Sequence, residues 1–339
     1  MISTLMSREL DSNTSSASPA SVSRRYKSPT VCSFITGDAT SPKRMKSRTS
    51  MDEARSSWAS EDNKNSTEIV RKAKHYNLVL QNSATELLLA SKLGKLNSGS
   101  FYLPHPAKAN TGGEDAHFIC TLTQAVGVAD GVGGWADLGI DAGLYARELM
   151  SHSLAAIQEE PKGSIDLIRV LEKAYVRTKA KGSSTACIVA LVDGGLYAVN
   201  LGDSGFMLVR NGCVAFKSPS QQHGFNFPYQ LDCNNVGDSP SSAIVFKITA
   251  APGDVLIVGT DGLFDNLYDE DISGVVIQAM EAGLEPQMTA QRIAELAQQR
   301  AMDQTKSSPF SDGAREAGFE YHGGKLEDIS VVVSYVMSN

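Results

Sequence analysis

The chain has 339 residues, 42% of them hydrophobic, and a formal charge of −7. The length suits one large domain with a tail, and the mild negative charge argues against nucleic-acid binding, which needs a basic face. No run approaches about 18 consecutive apolar residues, so no membrane span is expected. The cysteines, Cys32, Cys120, Cys187, Cys213 and Cys233, stand far apart with no CxxC pair. They indicate neither a thiolate zinc site nor a disulfide framework, and they fit a reduced compartment.

The first fifty residues are dense in Ser and Thr, carry Arg8, Arg24, Arg25, Lys27, Lys43, Arg44, Lys46 and Arg48, and hold few acids. Such a composition cannot bury a core, and residues 1–80 are expected to form a disordered tail. Two readings of it stand. It is an organellar transit peptide, plastid favoured over mitochondrion, or a solvated, phosphorylatable tail in the cytoplasm or nucleus. Glu9, Asp11 and Asp38 count against the first.

A domain is expected over residues 85–339. "SATELLLASKLG" predicts a short helix capped by Ser83 or Thr85. "FICTLTQAVGVAD" predicts a strand, and "DAGLYARELMSHSLAAI" a helix capped by Asp141. "SIDLIRVLEKAYVRTKA" predicts another, with Ser164 as cap and Ile165, Ile168, Leu171 and Tyr175 at helical spacing. The period then changes to two: "STACIVALVDGGLYAVNLGDSGFMLVRNGCVAFKS" predicts four antiparallel strands, with tight turns at Gly194-Gly195 and Asn211-Gly212. "SAIVFKITA" and "DVLIVGTD" add strands. "DEDISGVVIQAMEAG" and "TAQRIAELAQQRAMD" add helices, the second with Thr289 as cap, and "DISVVVSYVM" a last strand. Helix pairs between antiparallel runs point to an α+β layered fold.

Three aspartates share one local context. Asp130 ends "AVGVAD" and precedes Gly131, Asp261 ends "VLIVGTD" and precedes Gly262, and Asp328 stands before "ISVVVSYV". Glu114 and Asp115 open "AHFIC" after two glycines. Carboxylates gathered at strand ends raise one another's pKa, and a hard divalent cation relieves that cost. An Asp-Gly pair is by itself equally a turn, its acid satisfied by backbone N–H groups. The run "GVGGWA" also matches a dinucleotide-binding G-x-G-x-x-A. That motif should open a helix directly and meet an acid at the end of a second strand. Here Trp135 to Gly139 intervene, and the stretch about twenty residues on is still helix.

With these residues assembled, the chain resembles the metal-dependent Ser/Thr protein phosphatases of type 2C (PPM) over roughly residues 95–337. "GGEDAHF", "GVADGVGGW", "GSSTACIVAL", "VNLGDSGFMLVRNG", "VGTDGLFDN" and "KLEDISVVVSYV" follow the family's motifs in order. "GVGGW" with "QQHGFNFPYQL" is similar to a compact branch with plant and mitochondrial members. The resemblance implies a four-layer α-β-β-α sandwich with two central antiparallel sheets and two Mg2+ or Mn2+ ions at one rim. It implies Asp130 as the bridging ligand, the Gly131 carbonyl on one ion, Asp261 and Asp328 on the other, and Glu114 and Asp115 acting through water. The implied reaction is hydrolysis of phosphoserine or phosphothreonine in phosphoprotein substrates by a metal-bridged water.

Three departures from the family stand out. Val132 occupies the place of a histidine proposed as general acid, which leaves His117, His223 or a bound water for that role. Asn110 replaces a phosphate-binding arginine, with Lys108 nearby. Lys179-Ala180-Lys181 replaces an acid linked to a third ion, and Asp203 and Asp265 remain as outer acids. Trp135 is either a core anchor or a wall of the substrate groove. The segment 304–325, "QTKSSPFSDGAREAGFEYHGGK", is a long loop placed to govern substrate choice. A catalytically inactive binding module on the same fold, or a phosphatase of a small phosphometabolite, are the alternative functions.

Overall fold

The computed structural model describes residues 93–338, apart from 162–163 and 193. The expected tail and the helix expected from Ser83 lie outside the described residues, except that Leu93 and Gly94 begin a strand.

The strands are β1 (Leu93–Leu103), β2 (Asp115–Cys120), β3 (Ala125–Asp130), β4 (Ser183–Ser184), β5 (Ala186–Val192), β6 (Gly195–Leu201), β7 (Gly205–Arg210) and β8 (Cys213–Lys217). They continue with β9 (Gln222–Gly224), β10 (Phe227–Pro228), β11 (Leu231–Asp232), β12 (Ile244–Thr249), β13 (Val255–Gly259) and β14 (Ile329–Ser338). The helices are α1 (Ala142–Gln158), α2 (Leu167–Arg177), α3 (Asp261–Phe264), α4 (Asp269–Glu281), α5 (Pro286–Ala301) and α6 (Pro309–Glu316). Two antiparallel sheets of five strands form the centre, ordered β1-β14-β13-β7-β8 and β12-β6-β5-β3-β2.

Strand alternation builds three apolar layers from these sheets. Val126, Val128, Val189, Phe206, Leu208, Val258 and Val332 fill the space between the sheets. Their strand neighbours point outward: Phe118, Ile188 and Leu201 meet Tyr145, Leu149 and Leu171 of α1 and α2. On the other side Met207, Ile257 and Val333 meet Ile272 and Val276 of α4 and Ile293 of α5. The order is helix, sheet, sheet, helix, the sandwich expected from the sequence.

The four period-two strands β5 to β8 appear as expected, but the chain crosses between sheets at Gly202–Ser204, so β5 and β6 lie in one and β7 and β8 in the other. Asn211 and Gly212, at φ 52° and 76°, make the two-residue turn that matches strand twist. "FICTLTQAVGVAD" folds as two strands rather than one, turning at Gln124 with φ 52°. Asp141 caps α1, accepting from the Gly143 amide at 2.9 Å. The cap of α2 is Asp166, not Ser164: its carboxylate accepts from the amides of Ile168 and Arg169. α5 starts a turn before Thr289, because Pro286 presets the first helical φ, and the Thr289 hydroxyl lies 2.6 Å from that of Tyr335. The segment expected as a long loop contains α6, capped by Ser308.

Candidate metal centre

Register brings the acids together. Asp115 and Asp130 are direct partners in the β2–β3 ladder, and alternation turns both toward the second sheet. Thr260, at the end of β13, donates its hydroxyl to Asp115 Oδ2 at 2.8 Å and accepts from the Ser330 amide at 3.0 Å, which ties the two sheets at this rim. Asp261 follows Thr260 and lies close enough to Asp130 for the two carboxyls to act on each other's ionisation. Gly131 bridges to Ser184, and its amide donates to the Glu114 carbonyl at 3.1 Å.

The electrostatics are those of crowded anions. Loss of water, then the charges of Asp261 and Asp115, push the Asp130 carboxyl well above the usual carboxylate range. Burial, then Asp328, does the same to Asp115, and burial raises Glu114 against the pull of Lys108. Asp261 goes the other way. Burial opposes its charge, but Lys325 Nζ at 2.7 Å, Asp130 and the Gly262 amide together outweigh it and hold the group low. Asp203 is pushed up to about 7 and Asp265 to about 6, both mainly by burial. Asp115 Oδ1 and Asp203 Oδ1 are buried without a hydrogen-bond partner. Unpartnered carboxylate oxygens beside neighbours that repel them fit a hard divalent cation. Among the described residues no three acids, histidines or cysteines converge closely enough to hold an ion as they stand.

Not every expected residue faces that rim. Asp328 Oδ1 accepts from the Tyr102 hydroxyl at 2.7 Å and the His105 amide at 2.9 Å, and Oδ2 accepts from the Glu114 amide at 3.2 Å. Its carboxylate braces the segment from β1 to β2. The adjacent Glu327, which the sequence reading passed over, lies 3.2 Å from Lys325 Nζ, and its charge helps to raise Asp130. The signal for it was present in the doubled acid of "KLED". Lys108 pairs with Glu114, and Asn110 is exposed on a short 3-10 helix. His117 sits opposite Val128, and burial lowers its pKa. His223 stacks on Tyr229 at 4.0 Å and binds Asp238 at 2.9 Å.

Beside the rim opens a cleft of about 390 Å³ lined by Trp135, His223, Phe227, Gln230, Asp232 and Asp238. Trp135 is 7% exposed and donates from Nε1 to Ser183 Oγ at 2.7 Å, so it is both buried anchor and cleft wall. The β9–β10 hairpin joins cleft to rim: Gln222 reaches Asp203 and Asn226 reaches Lys325, while His223 and Phe227 face the cleft.

No family model matches the chain. Individual proteins do. Probable protein phosphatase 2C 55 of Arabidopsis thaliana is 64% identical over 251 residues, covering 74% of this chain and 54% of its own length. The chain thus spans between half and two thirds of the first curated relatives it matches. The X-ray structure of the photosystem II phosphatase PBCP is 34% identical and superposes with a TM-score of 0.65, covering 71% of this chain and 98% of that one. The chain belongs to the protein phosphatase 2C family. The same fold appears in the catalytic domain of serine threonine protein phosphatase PstP, solved in complex with two manganese ions, at 20% identity and TM-score 0.51, covering 71% of this chain and 98% of that one. Protein phosphatase 2C members use metal ions, and the acid rim lies where the two sheets of this member meet.

Proposed function

We propose that this protein phosphatase 2C member is a Mg2+- or Mn2+-dependent serine/threonine phosphatase acting on phosphoproteins. The observation that carries the proposal is the meeting of Asp130, Asp261 and Asp115 at the sheet rim, with buried carboxylate oxygens left unpartnered. Asp130, the Gly131 carbonyl and Asp261 would hold the ions. From the last strand Asp328 was expected, and Glu327 is the acid whose placement suits that task. Glu114 and Asp115 stand behind as acceptors for ordered water. Bound ions supply an acidified water as nucleophile and positive charge for the phosphoryl oxygens. The chain positions the substrate, through the cleft that the β9–β10 hairpin sets against the rim.

Residues 304–325 build on that hairpin through Phe225, whose ring lies 4.9 Å from Phe310 and 5.5 Å from Phe319. This supports a role for the segment in substrate choice, and exchanging it should alter preference among phosphopeptides. The likeness to a photosystem II phosphatase supports a plastid location. The test is phosphate release from a phosphothreonine peptide by the 339-residue chain with manganese, magnesium and chelator. Metal-dependent release that disappears in Asp261→Asn supports the proposal; release that persists in chelator overturns it.

A further inference from the structure

We propose that Lys325 is the acid rim's resident cation: it holds Asp261, Asp265 and Glu327 together in the metal-free chain and competes with a divalent ion for Asp261. The inference rests on the reading of this rim as a divalent-ion site. Lys325 is 8% exposed. Its Nζ lies 2.7 Å from Asp261 Oδ2, 3.0 Å from Asp265 Oδ2, 3.2 Å from Glu327 Oε1 and 2.9 Å from Asn226 Oδ1. The Phe310 ring closes the remaining side, with its centroid at 4.8 Å. Three carboxylates, an amide oxygen and a π-face around one ammonium make a cation site built of protein and filled by protein.

The backbone fixes the ammonium there. Asn266 brackets Lys325, its Oδ1 accepting from the Lys325 amide at 2.9 Å and its Nδ2 donating to the Lys325 carbonyl at 2.8 Å. Gly323 has φ 85°, and a side chain at Gly324 would run into the Arg300 carbonyl. The two glycines let the chain pass close under α5 and deliver the lysine inward.

The charge has two effects of opposite sign. Without metal it balances acids whose mutual repulsion would otherwise loosen the rim. When a divalent ion approaches Asp261 it meets a fixed positive charge a few ångströms away, in surroundings of low dielectric where such repulsion is strong. A chain without the charge should therefore bind the ion more tightly and be less stable before the ion arrives.

The experiment compares full-length wild type with Lys325→Gln, Lys325→Met and Lys325→Arg, using calorimetric titration with MnCl2 and thermal melting in chelator and in Mn2+. The neutral variants are expected to bind Mn2+ about tenfold or more tightly, to melt lower in chelator, and to gain more in Tm from Mn2+. Lys325→Arg should stay near wild type. A neutral variant that melts cooperatively only when Mn2+ is present supports the proposal equally, because the ion has then replaced the ammonium. Folded neutral variants with unchanged or weaker Mn2+ affinity overturn it, as does failure of both to fold at saturating Mn2+. Wild type that binds no Mn2+ at all overturns the functional reading itself, a separate outcome.

Discussion

Asp115 and Asp130 stand directly opposite each other across β2 and β3, both turned toward the facing sheet. Like charges at paired ladder positions destabilise a sheet, so without metal this pair works against the fold wherever both carboxyls are ionised, which their raised pKa values resist. Asp130→Asn is expected to melt no lower than wild type in chelator, with a gain of up to about 1 kcal/mol. With Mn2+ it should lose about a hundredfold or more in phosphate release. Melting curves and a phosphopeptide assay on the same preparation check both; unchanged turnover would remove Asp130 from the site.

The raised acids give metal-free stability a definite pH slope. Asp203 and Asp265 are raised from 3.8 to about 7 and about 6, chiefly by burial. An acid with a raised folded pKa contributes stability that is complete below its unfolded value and is lost as pH rises through the folded one. The chelated protein should therefore melt progressively lower from about pH 4 to pH 7, by several degrees. Glu160, lowered to about 2 chiefly by Arg169, has the opposite sign but acts below this window, whereas His105 and His117, lowered by burial, oppose the slope within it up to their ordinary 6.5 and reduce it without matching the several raised acids. Saturating Mn2+ should flatten the slope, because a dication at the rim favours the ionised form of the acids around it and lowers their raised pKa values. A chelated Tm that climbed steadily through the same range would contradict the assignment.

Much of this was legible in sequence because it is local. Strand alternation and the Asp-Gly steps placed β5 to β8, β13, β14 and the acids at their ends. β1 was hidden: "LGKLNSGSFYL" is rich in Gly and Ser, and the leucines before it have helical spacing. α6 was hidden among Gly and Ser punctuation. The role of Lys325 depends on Asp261, 64 residues away, and no periodicity encodes that meeting. Glu327 and Asp328 are adjacent, and which of them faces the rim is decided by packing against Tyr102, His105 and Glu114.

Gly131 is required by space. A Cβ there would lie 2.7 Å from the Glu114 carbonyl oxygen and 2.8 Å from the Ala142 carbonyl carbon, both backbone atoms. Neither can swing aside as a side chain would, so Gly131→Ala must push β2 from α1. The expected cost is about 1 to 3 kcal/mol in urea unfolding in chelator, with weaker Mn2+ binding because the Asp130–Gly131 step is displaced. A variant as stable as wild type would show that this corner yields more readily than its packing implies.

The neighbouring acids of the last strand separate bracing from ion binding. Asp328 accepts three hydrogen bonds, one from Tyr102 of β1 and two from the segment that joins β1 to β2, so its work is to hold Glu114 and Asp115 at the rim. Asp328→Asn offers one acceptor oxygen and an amide that clashes with the donors it must face. It is expected to lose about 1 to 3 kcal/mol of stability and to keep Mn2+ affinity within a few fold. Glu327 faces Lys325 and adds its charge to the field at Asp130. Glu327→Gln should cost little stability in chelator yet weaken Mn2+ binding about tenfold or more. Calorimetric titration of the two variants beside their urea curves decides the matter. If Asp328→Asn loses the ion while Glu327→Gln keeps it, the aspartate expected from sequence is the ligand and the hydrogen bonds to Tyr102 and His105 merely orient it.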